Sequence, residues 1–89
     1  MRLDQFLKAS RLVLRRTVAQ ELCEAGAVSV NGIVARSSRA VHAGDEITLR
    51  HVNRQLKVRV LAVPDARQTS RREAPTLYEV VSDERVGDE

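Results

Sequence analysis

The chain has no tryptophan, one phenylalanine and one tyrosine in 89 residues. Recognition by stacking successive bases needs aromatic platforms, so that mode is excluded as the main one. A single cysteine, Cys23, forbids an internal disulfide and fits a reducing compartment, the cytoplasm. The four glycines (Gly26, Gly32, Gly44 and Gly87) stand apart, so there is no glycine-rich phosphate loop. No apolar run approaches the roughly 20 residues of a membrane span, and no signal peptide is evident. Eighty-nine residues fit one domain, and a chain this size buries only about 60–65% of its unfolded surface. That allows one small core with little room for a substrate cavity beside it.

Charge is plentiful and unevenly placed. Fifteen bases face twelve acids, for a net +3, and all the bases except Lys8 and Lys57 are arginine. Arginine's planar fork suits bidentate phosphate contacts, whereas either base would serve solubility. Residues 1–16 carry five bases and one acid, while residues 73–89 carry six acids and one base. This polarity points to an N-terminal face that binds a polyanion.

Two short helices open the chain. Leu3, Phe6 and Leu7 form an apolar stripe, with Asp4 placed to cap the helix or to hold an arginine fork. Thr17 and Gln20 have capping-box spacing, Val18, Leu22 and Ala25 recur at helical intervals, and Gly26 supplies a left-handed stop. Leu3, Phe6, Leu7, Leu12, Leu14, Val18 and Leu22 are the expected core of this region. Arg15 and Arg16 precede a helix N-terminus, where free amides and the macrodipole favour an anion. The period then changes to two. Val28–Val30, an Asn31-Gly32 turn and Ile33–Ala35 read as a hairpin. Glu46–Arg50 and Gln55–Val63 read as strands, with Leu56, Val58 and Val60 inward and Pro64 as the stop. Asp65–Arg72 reads as a polar basic loop, Leu77–Val81 as a last strand or a helical turn, and Ser82–Glu89 as a frayed acidic tail. The class is α+β, two N-terminal helices packed on a small antiparallel, bent sheet.

Catalysis finds little support. His42 and His51 have no Cys or His partner at metal-ligand spacing, and Cys23 beside Leu22 reads as a small buried hydrophobe. The acids divide between caps, turns and the tail, and Ser37-Ser38 has no evident base. No enzymatic activity, metal or cofactor is expected. Each base taken singly is an ordinary solvated charge. Gathered around two helices that need an apolar face, Arg2, Lys8, Arg11, Arg15 and Arg16 repel one another unless a polyanion docks.

Arg2-Leu3-Asp4, Phe6-Leu7, Ser10-Arg11, Arg15-Arg16-Thr17 with Ala19, Gly26, Val28, Val30-Asn31-Gly32 and Gly44-Asp45 with Ile47 follow one another in an order that resembles the S4 RNA-binding domain. The likeness covers about residues 1–59. It implies an S4 domain over 1–63, a basic loop and terminal element over 64–81 packed on the same domain, and a disordered tail over 82–89. Among stand-alone S4 proteins it is most similar to the RqcP group of ribosome-associated quality control, with the heat-shock protein 15 group as near relative. The latter has a long basic C-terminal extension where this chain has an acidic one. The resemblance implies a cytoplasmic, ribosome-associated monomer that touches 23S rRNA and peptidyl-tRNA on obstructed 50S subunits and supports RqcH-dependent, template-free tailing of the stalled nascent chain. By the same resemblance, the RNA face is Arg2, Lys8, Arg11, Arg15, Arg16 and Thr17, with Gln20, Asn31, Arg36 and Ser37 at its margin. The family often has a Lys-x-Ser-like stretch where this chain has Arg36-Ser37-Ser38. Three alternatives stay open: a 50S recycling factor of the heat-shock protein 15 kind, a protein-interaction module, and the RNA-binding subunit of an RNA-modifying enzyme.

Overall fold

A computed structural model describes residues 1–51, 53–64 and 76–85. The order is α1 (Leu3–Ala9), α2 (Arg16–Glu24), β1 (Val28–Val30), β2 (Ile33–Val34), β3 (Glu46–His51), β4 (Arg54–Val60) and β5 (Tyr78–Arg85). The strands form one antiparallel sheet in the order β2-β1-β3-β4-β5, so the architecture is α+β as expected.

The inner face of the sheet is built by alternation. Val28 pairs with Leu49 and Val30 with Ile47, while Ile47 pairs with Val58 and Leu49 with Leu56, so one face collects the branched side chains. Leu3, Phe6 and Leu7 of α1 and Ala19 and Cys23 of α2 complete the core. The hairpin between β1 and β2 turns at Asn31 and Gly32, both at positive φ (53° and 83°), the combination a type I′ turn requires.

Seven residues are too few for a helix to persist alone, so α1 is held from outside. The Leu3 amide donates to the Arg39 carbonyl (2.8 Å) and the Asp4 amide to the Ser37 carbonyl (3.1 Å), while the Val41 amide returns to the Met1 carbonyl (2.9 Å). The first turn of α1 is thereby strapped to residues 37–41, and its amides are already used. At the other end Arg11 takes the left-handed conformation (φ 62°) that glycine usually supplies. The Val13 amide then reaches back to the Leu7 carbonyl (3.1 Å), which draws Val13 into the core.

Several expectations need correction. Val13 is buried and Leu14 is 74% exposed, because the left-handed step at Arg11 rotates the connection. Helix α2 begins at Arg16 with Arg15 as its N-cap, so Thr17 lies within the first turn and makes no capping box. Its buried face is Ala19 and Cys23 rather than Val18, Leu22 and Ala25: Val18 is 37% exposed, Ala25 is exposed and Leu22 is half-buried. The strand expected to end at Pro64 ends at Val60. The last strand is longer than the sequence indicates. Ser82–Arg85 belong to β5, where Asp83 accepts Arg54 Nε (2.8 Å) and Nη2 (2.6 Å), so they are not a frayed tail. The expected loop over 65–75 and the final residues 86–89 lie outside the described residues.

Candidate nucleic-acid interface

The interface is organised by a buried acid. Asp4 falls inside the apolar arc of α1 and its side chain is fully enclosed. A bare carboxylate there would be costly, so every lone-pair direction must find a donor. Oδ1 accepts the Gln5 amide (2.9 Å) and Arg2 Nε (3.2 Å), and Oδ2 accepts Gln20 Nε2 (2.9 Å) and Arg16 Nε (3.1 Å). The helix cap proper is Arg2, whose amide is taken by Gln5 Oε1 (3.1 Å). Of the two roles considered for Asp4, holding arginine forks is therefore the one observed, extended to two arginines on different elements. Burial pushes the Asp4 carboxyl up. The hydrogen bonds from Gln20 and Arg16, with the charges of Arg16 and Arg2, outweigh it and hold the carboxyl below its ordinary range.

Both arginines are gripped at Nε. Their terminal nitrogens make no contact with another acid among the described residues, and the side chains stay 46% and 39% exposed. One carboxylate thus fixes two guanidiniums while leaving four N–H donors on each for an outside acceptor. Lys8 lies one turn beyond Asp4 on the same side of α1, and Arg15 caps α2 beside Arg16. Lys8, Arg15 and Arg36 form no ion pair among the described residues. On the sheet, Arg59 meets Glu46 and Glu79 at 2.9 Å each and Arg54 meets Asp83, while Arg50, Lys57 and Arg85 form no ion pair among the described residues.

Of the expected residues, Arg2, Arg16 and Gln20 converge on Asp4. Arg36 and Ser37 join them by lining, with Arg2, an open depression of about 570 Å³. Thr17 is exposed on the first turn of α2, and Arg11 is exposed at the end of α1. Asn31 is occupied elsewhere. Its amide nitrogen donates to Asp45 Oδ1 (3.1 Å) and its oxygen accepts the Glu46 amide (3.0 Å), so its side chain locks the hairpin to β3. Glu24 and Ser38, which the sequence reading left out, line the same depression as Arg2. The signal available for Asp4 was an acid set inside an otherwise apolar stripe.

Cys23 is buried, which raises its thiol pKa, as do the nearby charges of Asp4 and Glu24. Among the described residues, no group of three or more His, Cys, Asp or Glu side chains is placed to hold a metal ion. No helix among them is long and apolar enough to cross a membrane.

A short helix pair on a five-stranded antiparallel sheet, with a basic face over the helices, defines an S4-type domain. The S4 domain family matches residues 1–47, and the chain belongs to that family. Within it, the chain is 43% identical to the RQC P-site tRNA stabilizing factor of Streptococcus pneumoniae, over 97% of this chain and 96% of that protein. A heat shock protein 15 homolog from Haemophilus influenzae is 33% identical over 89% of this chain and 60% of its own length. The trimeric structure of heat shock protein 15 from Vibrio cholerae superposes with a TM-score of 0.83 at 33% identity, covering 92% of this chain and 82% of that one. The expected S4 membership and the stronger likeness to the quality-control group are borne out.

Proposed function

We propose that this chain is a non-catalytic RNA-binding factor of ribosome-associated quality control. In this reading it seats on obstructed 50S subunits, touches 23S rRNA and the peptidyl-tRNA in the P site, and supports RqcH-dependent tailing of the stalled chain. It acts as a monomer in the cytoplasm. The observation that carries the reading is the Asp4 clamp: Arg2 and Arg16 are preset at one spacing with their forks outward. Preset donors lose less side-chain freedom on binding than free ones, which favours a ligand whose phosphates stand in a fixed pattern. Folded RNA has such a pattern. Its A-form major groove is closed to side chains, which leaves phosphates, 2′-hydroxyls and junction shape to be read by a protein poor in aromatics. The likeness to the RQC P-site tRNA stabilizing factor, stronger than that to heat shock protein 15, supports this choice of ribosomal complex.

Sedimentation of the tagged protein tests the proposal. It predicts a peak with 50S subunits that carry tRNA, lost on ribonuclease treatment. Association with 30S subunits, or retention on its partner after complete RNA digestion, would contradict it and favour a protein-interaction module.

A further inference from the structure

The depression beside the Asp4 clamp has a chemistry that phosphate binding does not use. Arg2 and Arg36 supply guanidiniums, Ser37 and Ser38 hydroxyls, Val34 an apolar wall and Glu24, at the end of α2, a carboxylate. A carboxylate is out of place in a site meant only for phosphate, because it repels the ligand. Its presence makes sense where the ligand brings hydrogen-bond donors as well as negative charge. At about 570 Å³ the open depression is large enough for one nucleotide, within the range of about 300–1,000 Å³ usual for small-molecule sites.

We infer that this depression accepts a single unpaired guanosine extruded from folded RNA, with Glu24 reading its Watson–Crick edge. This rests on the RNA-binding reading above and adds one base-specific contact to a face that otherwise reads shape. Guanine alone presents two adjacent donors, N1–H and the N2 amino group, which match the two oxygens of a carboxylate. Adenine and cytosine each set a ring-nitrogen acceptor beside their amino group, and uracil flanks its one N–H with two carbonyls, so each turns a repelling atom toward Glu24. In that placement the other lining residues divide by chemistry: Arg2 and Arg36 would meet the flanking phosphates, Ser37 and Ser38 the ribose hydroxyls, and Val34 the base plane.

The test uses the full chain and a set of RNA hairpins, one fully paired and four bearing a single bulged G, A, C or U, with affinity read by fluorescence anisotropy. The bulged-G hairpin is expected to bind about tenfold more tightly than the other four. Glu24→Gln removes that preference and leaves affinity for the paired hairpin within about twofold. Equal affinity for all bulges, or a G preference that survives Glu24→Gln, overturns the inference while the RNA-binding reading stands. Failure to bind any hairpin overturns both.

Discussion

Arg16 Nε lies 3.1 Å from Asp4 Oδ2, across twelve residues of sequence and from one helix to the next. The same carboxylate holds Arg2 through its other oxygen. A single buried acid therefore joins α1 to α2 and fixes where two cations stand. Folding and ligand recognition meet at this residue, and their contributions can be separated by mutation.

Arg16→Ala should leave the domain folded. Asp4 keeps Arg2, Gln20 and the Gln5 amide, so the expected loss of stability is about 1 kcal/mol. RNA affinity should fall roughly tenfold, the order of one charge-assisted contact. Thermal melts and anisotropy on the same preparation check both. An unfolded variant would make Arg16 a structural residue.

Arg11→Gly separates the two roles at another site. A left-handed residue with a side chain costs about 1–2 kcal/mol, partly offset by the larger unfolded-state freedom of glycine. RNA binding should weaken, and thermal melts show whether relief of the left-handed strain outweighs the contacts that Arg11 gives up. A fall in melting temperature would mean that the Arg11 side chain supports the fold.

The fold was more legible in the sequence than the site. Alternation fixed the sheet's inner face, and Asn31-Gly32 named its hairpin. Helix α2 was misread by one position because two stripes have the same period. The bulky Val18 and Leu22 weigh most in a pattern, yet Ala19 and Cys23 face the core, where a close helix contact favours small residues. Val18 and Leu22 instead line a cavity of about 250 Å³ with Leu12, Leu49 and Leu56. The sequence pattern assigns residues 82–85 to a frayed tail, yet Asp83 meets Arg54 across strands, a pairing that only the register reveals. In the site, the bases were visible as a cluster. The sequence also singles out Asp4, but it does not decide between a cap and a clamp, since both roles draw on the same residue.

Acid should loosen the clamp. The folded pKa of Asp4 lies below the ordinary value of 3.8, so the ionised form favours the folded state. Its contribution is fully present above that value and is lost as the pH falls through the lower folded one. Asp45 and Asp83 shift in the same direction and add to the trend. The melting temperature should hold from neutral pH to about 5 and drop below about 4. In Asp4→Asn the drop should be shallower, and a drop of equal depth would show that other groups control acid stability.

Salt dependence gauges the size of the basic face. If about five bases neutralise phosphates, log K should fall against log salt with a slope of roughly −3 to −5. A slope near zero would remove the polyelectrolyte basis of binding.

The most direct test is the affinity of Asp4→Asn for 50S subunits carrying tRNA, measured at fixed salt and well below the variant's melting temperature. The substitution deletes a negative charge, so general electrostatics alone would tighten binding to RNA. If the arginines act through the geometry that Asp4 imposes, affinity instead falls about tenfold, with the fold retained at a cost of about 2 kcal/mol. Equal or tighter binding by a folded Asp4→Asn protein would contradict the account.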